Sequence, residues 1–125
     1  MNKYKILLIE DDSFISHAYT DGLGRAGFEM IAASNGEEGI EKIKSENPNL
    51  ILLDLIMPIK NGFEVLEEIK KDDNLKNIPV IILSNLGQKS DIEKGKTLGA
   101  VDYMVKANFS MEEVVKKIKK YLIKK

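Results

Sequence analysis

The sequence contains no cysteine and a single histidine, and these two shortages exclude several kinds of site. Without cysteine the chain has no disulfides, no thiolate-bound zinc and no cysteine nucleophile. His17 by itself does not supply the imidazoles of a typical catalytic zinc site. The chemistry of this chain has to be sought among its carboxylates, hydroxyls and lysines.

Long apolar runs and an excess of one charge are also missing. No run approaches the ~18 residues of a membrane-spanning helix. Residues 1–12 have only four uninterrupted aliphatic residues before three acids, which is not the pattern of a signal peptide. The formal net charge of −1 gives no global basic field. We therefore expect a cytoplasmic protein with no membrane partner and no direct nucleic-acid partner.

Five short aliphatic runs recur along the 125 residues, separated by segments with helical periodicity. Several runs are apolar throughout, as in strands that are buried on both faces of a parallel sheet. Alternating strands and helices predict one α/β domain over residues 1–125, a doubly wound (βα)5 three-layer sandwich. With five units, the flavodoxin-like strand order 2-1-3-4-5 is favoured. The predicted strands are residues 6–9, 28–33, 50–53, 80–83 and 101–105.

Helix starts are indicated by three copies of the pattern Ser-x-x-Glu, which is typical of a capping box. The serine caps the N-terminus of a helix, and the glutamate three positions later binds back to the backbone of the serine. The three pairs are Ser34 with Glu37, Ser90 with Glu93, and Ser110 with Glu113.

Polar side chains follow four of the predicted strands, at the edge where open α/β sheets bind ligands. They are Glu10, Asp11 and Asp12 after the first strand, Asp54 after the third, Ser84 after the fourth and Lys106 after the fifth. Two carboxylates at ~4 Å repel by about 4 kcal/mol at an effective dielectric near 20. Some of the acids are therefore protonated, or a cation lies among them. Mg²⁺ fits a sparse set of oxygen ligands better than Ca²⁺ does.

Each of these residues also has a plain structural interpretation. Asp12 or Ser13 is suited to cap the first helix, which does not exclude a ligand role. Ser84 alone is typical of a turn, and Lys106 alone is typical of a solvated loop. Asp54 is harder to explain in this way, because an unpaired carboxylate at the end of an aliphatic strand is costly.

Taken in order, these residues resemble the receiver domain of two-component response regulators over essentially the whole chain. Within this family, the chain resembles the stand-alone chemotaxis regulators. The matching segments are residues 9–12 (Ile-Glu-Asp-Asp), residues 54–58 (Asp-Leu-Ile-Met-Pro) with Gly62, residues 82–84 (Ile-Leu-Ser), and residues 98–100 (Leu-Gly-Ala) with Tyr103 and Lys106.

The resemblance implies a phosphorylation-activated switch rather than a conventional turnover enzyme, with slow self-dephosphorylation at most. Asp54 would accept a phosphoryl group from a sensor histidine kinase or a phosphotransfer protein, and Lys106 would pair with the phosphoryl oxygens. Ser84 would swing to hydrogen-bond them, and Tyr103 would rotate inward. The implied Mg²⁺ ligands are Asp11, Asp12, Asp54 and the backbone carbonyl of Ile56.

The implied output surface is helix 4, strand 5 and helix 5, within residues 91–122. It would contact a downstream protein whose identity the sequence does not give, and it is also a candidate surface for a homodimer. Because the receiver fold uses all 125 residues, we expect either a chain without an attached effector or a fragment of a longer regulator.

Three positions are unusual for this family. Ala107 stands where proline usually follows the lysine, so we expect a trans peptide bond there. Asn85 is larger than the usual residue, and we expect it to slow labelling by small acyl phosphates. Gly95 lies inside helix 4, which predicts a marginal and mobile helix.

Two other functions remain open at this stage. One is a degenerate receiver that acts as an unphosphorylated protein-interaction module. The other is a small phosphatase of the haloacid dehalogenase type or a flavin carrier. The phosphatase requires a second acid at the position of Ile56, and acids after strand 1 would repel the phosphate of a flavin.

Overall fold

The computed structural model describes residues 3–122, so the ends of the single domain predicted over residues 1–125 lie outside the described residues. Its sheet is parallel, with the strand order β2-β1-β3-β4-β5, which confirms the predicted fold class. Each predicted strand is correct to within one residue at either end. The strands are β1 (Lys5–Ile9), β2 (Glu29–Ala33), β3 (Leu50–Leu53), β4 (Val80–Ser84) and β5 (Asp102–Val105).

Helices cover both faces of the sheet and complete the three predicted layers. Side chains alternate between the faces along each strand, so Ile6 and Leu8 point to one core, and Leu7 and Ile9 to the other. Helices α1 and α5 pack on the first core, and α2, α3 and α4 pack on the second. The helices are α1 (Ser13–Arg25), α2 (Gly36–Glu46), α3 (Gly62–Lys71), α4 (Lys89–Thr97) and α5 (Met111–Leu122).

Of the three predicted capping boxes, only the last has the expected geometry. The Ser110 and Glu113 side chains each accept a hydrogen bond from the backbone N–H of the other residue. The first prediction is wrong by one residue, because Asn35 caps α2 and accepts from the Glu38 N–H. The second is wrong, because α4 begins at Lys89 and its N-cap residue makes no side-chain capping bond. A capping box that the sequence analysis missed, Asn61 with Glu64, starts α3.

The loop between β3 and α3 approaches its neighbours closely and contains a strained turn. The Lys60 N–H donates to the Pro58 carbonyl at 2.7 Å, and the residue between them, Ile59, has φ 71°. This is a γ-turn with a positive central φ, a rare and strained form that a β-branched residue seldom adopts. The Ile59 side chain is 72% exposed. Gly62 then opens α3 against the backbone of Asp54.

Asp102 fixes the start of β5 to α5. Its carboxylate accepts hydrogen bonds from the Tyr103 N–H at 2.8 Å, the Tyr121 hydroxyl at 2.8 Å and the Lys117 ammonium at 3.1 Å. Burial by itself would raise the pKa of Asp102, but these three donors outweigh burial and lower it. The ionised carboxylate therefore stabilises the packing of α5 on the sheet.

We expect Asp102→Asn to lower the free energy of unfolding by about 1–3 kcal/mol at pH 7, because an amide accepts these charged and polar donors less well. Since the folded-state pKa is lowered, the contribution of Asp102 is present above the unfolded pKa of about 3.9 and is lost as pH falls below it. Urea unfolding of both proteins at pH 7 and pH 3 checks this. A stability difference that is the same at both pH values would contradict the assignment.

Within residues 3–122, none of the helices combines the length and the apolar character that crossing a bilayer requires.

Candidate functional site

Several of the polar residues that the sequence analysis noted at the strand ends meet at the carboxyl edge of the sheet. In the register of the sheet, Ile9 pairs with Leu53, Leu53 with Ile82, and Ser84 with Val105. The residues that end or follow these strands are therefore neighbours in space. They are Glu10, Asp54, Ser84 and Lys106.

Asp54 lies at the centre of the group and is 7% exposed. Its backbone N–H continues the sheet by donating to the Ile9 carbonyl at 3.0 Å. Its Oδ1 accepts from the Leu55 N–H at 2.7 Å, while Oδ2 lies 3.3 Å from the Lys106 ammonium. One carboxylate oxygen is thus held by backbone, and the other faces the charged centre of the site.

Three carboxylates come together: each of Glu10, Asp11 and Asp54 offers one oxygen, and these oxygens lie within 4.8 Å of one another. Glu10 is 3% exposed, Asp54 is buried and Asp11 is exposed. Burial raises the pKa of Glu10, and the negative charge of Asp54 adds to the rise, although bonds from Lys106 and the Asp12 N–H oppose it. The site therefore holds a concentration of negative charge that favours a bound cation.

Asp12 has the helix-capping role that the sequence analysis allowed for it. Its Oδ1 accepts from the backbone N–H groups of Phe14 at 2.9 Å and Ile15 at 3.1 Å, so it caps α1. It is not among the three acids whose oxygens come together. The acid that accompanies Asp11 and Asp54 is instead Glu10, which the sequence analysis noted after strand 1 but did not include among the metal ligands.

Lys106 bridges the two buried acids of the site. Its ammonium donates to Glu10 and lies 3.3 Å from Asp54 Oδ2. Burial alone would lower the pKa of Lys106, but the bond to Glu10 and the charges of Asp54 and Glu10 raise it overall. Lys106 opens a short 3₁₀ helix (Lys106–Asn108), and no peptide bond among the described residues is cis, as predicted for Ala107.

Ser84 and Tyr103 both bind the same residue of the loop after β4. The Ser84 hydroxyl oxygen accepts from the Leu86 N–H at 3.3 Å, and the Tyr103 hydroxyl donates to the Leu86 carbonyl. Tyr103 is only 8% exposed, and its inward rotation on phosphorylation stays a prediction. Burial, together with the negative charges of Asp91 and Asp54, raises its pKa to about 12.

Gly95 explains how α4 fits over this tyrosine. A Cβ at Gly95 would lie 2.5 Å from Ile82 Cδ1 and 3.3 Å from the Tyr103 ring. The glycine therefore allows close packing of α4 on β4 and β5, in addition to any loss of helix propensity. The predicted mobility of α4 stays a prediction.

Comparisons with known proteins agree with this geometry. A family model described as the response regulator receiver domain matches residues 6–119. A probable transcriptional regulator, ycf27 of Porphyridium aerugineum, is 39% identical over 98% of this chain and 49% of its own length. The chain thus spans about half the length of the curated relatives it matches.

Solved structures match over nearly their whole length. The chemotaxis protein CheY4 of Vibrio cholerae has a TM-score of 0.90 and 26% identity, with 97% of this chain and 100% of that chain covered. The Mn²⁺-bound response regulator Rcp1 has a TM-score of 0.83 and 31% identity, with 95% and 94% covered.

Proposed function

The chain belongs to the receiver domain family of response regulators, and we propose that Asp54 is its phosphoacceptor in a Mg²⁺-dependent reaction. Receiver domains are phosphorylation-activated signalling switches, not conventional enzymes. Membership in a two-component system implies a kinase or phosphotransfer partner, and we propose that a sensor histidine kinase or a phosphotransfer protein donates to Asp54. The observation that carries the proposal is the buried Asp54 carboxylate between an acidic pair and a lysine.

The donor set suits a hard divalent cation. Glu10, Asp11 and Asp54 offer only oxygen, and with Lys106 they carry a formal net charge of −2. We propose that these three acids and the Ile56 carbonyl hold Mg²⁺, with Glu10 replacing Asp12 in the predicted set. The bound Mn²⁺ of Rcp1 supports a divalent ion here. When bound, the ion would neutralise charge on the phosphoryl oxygens.

The chain's own groups orient the reacting atoms. The Leu55 N–H fixes Asp54 Oδ1, which leaves Oδ2 as the nucleophile. Oδ2 attacks phosphorus, the bond from phosphorus to the donor nitrogen breaks, and Asp54 becomes an acyl phosphate. Lys106 stabilises the negative charge of the transferring group, which is the main requirement of phosphoryl transfer.

Ser84 and Tyr103 connect this reaction to the output surface. A Ser84 hydroxyl that donates to a phosphoryl oxygen forms a bond of about 1.5–3 kcal/mol, stronger than its 3.3 Å contact with the Leu86 N–H. The two bonds do not compete for the same site on the hydroxyl, so we propose that Leu86 is released because the Ser84 side chain moves towards the phosphoryl group, and that Tyr103 and α4 adjust to the new loop conformation. The surface of α4, β5 and α5 would then bind a downstream protein or a second copy of the chain.

The test is mass spectrometry after incubation with acetyl phosphate and Mg²⁺, comparing the wild type with Asp54→Asn. We expect a mass gain of one phosphoryl group in the wild type, located on Asp54, and none in the variant. Equal labelling of both proteins would refute the assignment. No labelling of either would instead favour an unphosphorylated interaction module.

Asp11 and its neighbour Asp12 test the proposed metal set, because Asp11 belongs to both the proposed and the predicted set, whereas Asp12 belongs only to the predicted one. We expect Asp11→Asn to weaken Mg²⁺ binding at least about tenfold, because a carboxylate charge a few ångströms from the ion is worth more than 1.4 kcal/mol. Asp12→Asn should have a much smaller effect, since asparagine preserves the α1 cap. Calorimetric titration with MgCl₂ measures both, and equal losses would restore Asp12 as a ligand.

A further inference from the structure

The chain contains two Asn-Gly pairs, and both lie at the start of a helix. Asn35 and Gly36 begin α2, and Asn61 and Gly62 begin α3. Each asparagine is the N-cap, has an extended backbone and accepts a hydrogen bond from the N–H three residues later. Each glycine packs closely against a backbone carbonyl oxygen. Asparagine before glycine readily loses its side-chain amide, because glycine has no Cβ to obstruct its own nitrogen.

The two pairs differ in the hydrogen bonds of their backbone N–H groups. At α3, the Asn61 N–H donates to the Glu64 carboxylate at 2.9 Å. The Gly62 N–H donates to the Leu55 carbonyl, also at 2.9 Å. At α2, neither of the corresponding N–H groups has a hydrogen-bond partner among residues 3–122. The nitrogen that has to react is therefore bound at α3 and unbound at α2.

We propose that Asn35 is a site of spontaneous deamidation and that the fold protects Asn61 from the same reaction. The Gly36 nitrogen attacks Asn35 Cγ, and the new N–C bond closes a five-membered succinimide ring. The bond from Cγ to the side-chain nitrogen breaks, and that nitrogen leaves as ammonia with the proton of the Gly36 N–H. Water then opens the ring at either carbonyl and gives aspartate or isoaspartate, so water is the only other reactant.

At α3 the same attack requires that the Gly62 N–H first lose its bond to Leu55. One net hydrogen bond corresponds to about a fivefold difference in rate. We therefore expect Asn35 in the folded protein to lose its amide at least about fivefold faster than Asn61. Solvent exposure alone predicts the reverse order, because Asn61 is exposed and Asn35 is half-buried.

The two products have different effects on α2. Aspartate caps a helix as well as asparagine does and adds one negative charge. Isoaspartate routes the main chain through the side-chain carbon, so the 2.8 Å bond from the Glu38 N–H to the Asn35 side chain is lost. We expect the isoaspartate form to have a folding equilibrium constant about fivefold lower than the unmodified protein, as for loss of an N-cap.

Peptide mapping by mass spectrometry, after incubation at mildly alkaline pH, measures the loss of each amide. The same incubation in urea is the control for sequence, because unfolding removes the Leu55 bond and should make the two rates nearly equal. Serine also caps helices, so Asn35→Ser should keep α2 intact and abolish most of the acidic species that ion-exchange chromatography resolves. The matched variant Asn61→Ser should leave that species in place.

Equal rates in the folded protein, or faster loss at Asn61, would overturn the inference. Persistence of both amides in the folded protein, with loss of both in urea, would overturn it too, because the capping bonds would then protect each asparagine equally. A preference for Asn35 that persists in urea would assign the effect to the residues after the glycines, Glu37 and Phe63, and not to the fold. Asp54 takes no part in this chemistry, so none of these outcomes bears on the proposed function.

Discussion

Replacing Lys106 with methionine is expected to slow phosphorylation of Asp54 by about 10²–10³-fold. Methionine keeps an unbranched apolar side chain but removes the ammonium that lies 3.3 Å from Asp54 Oδ2. Loss of one preorganised charge-stabilising donor has an effect of this size in other active sites. The initial rate of labelling by acetyl phosphate at saturating MgCl₂ is the measurement.

The same substitution should also change stability, because it leaves Glu10 and Asp54 without their counter-charge. Breaking a buried ion pair typically costs about 3 kcal/mol or more, and added Mg²⁺ should recover part of that loss. Lys70→Met is a suitable control, since its ammonium binds the Lys76 carbonyl and lies at the far end of α3. A Lys106→Met protein that is labelled at the wild-type rate would exclude Lys106 from the reaction.

Gly62→Ala should reduce both stability and labelling, although the substitution adds only one methyl group. A Cβ at Gly62 would lie inside the van der Waals contact distance of the Asp54 carbonyl oxygen and 2.8 Å from Leu55 Cα. Both are backbone atoms of Asp54 and its neighbour, so neither moves without displacing the proposed acceptor. We expect a loss of about 3 kcal/mol in the free energy of unfolding. We also expect about a hundredfold slower labelling.

The control for this prediction is a second glycine, at which an added Cβ would contact no neighbouring atom. Gly24 lies in α1, and a Cβ there has no neighbouring atom within 4 Å. Gly24→Ala should therefore raise stability by up to about 1 kcal/mol through helix propensity and leave labelling unchanged. Urea unfolding and the acetyl phosphate assay apply to both variants. Equal stability changes at Gly62 and Gly24 would show that the close approach at Gly62 is relieved at no cost.

The strands were predictable because burial on both faces leaves a clear signal, and their order was predictable because five alternating units favour one common arrangement. A run such as Leu50–Leu53, with four aliphatic residues in sequence, is buried completely and has few alternatives. Helix starts were less predictable, because serine and asparagine both cap helices and often stand side by side. At Ser34 and Asn35 the structure uses the asparagine, and Ser34 instead donates its N–H to the Glu38 carboxylate.

The roles of the three consecutive acids after β1 could not be predicted from the sequence alone. Glu10, Asp11 and Asp12 are consecutive, and each is able to bind a cation or cap a helix. Which acid faces Asp54 depends on where β1 ends and where α1 begins, and an error of one residue exchanges their positions. Asp54 and Lys106 were easier to place, because each is an isolated charged residue directly after a strand.

The left-handed conformation of Ile59 has a practical consequence for engineering this domain. Such a conformation costs about 1–3 kcal/mol, which the surrounding structure has to supply. The side chain is mostly in solvent, so glycine at this position would recover part of that energy without opening a cavity in either core. Ile59→Gly is therefore expected to raise thermal tolerance through a change five residues beyond Asp54.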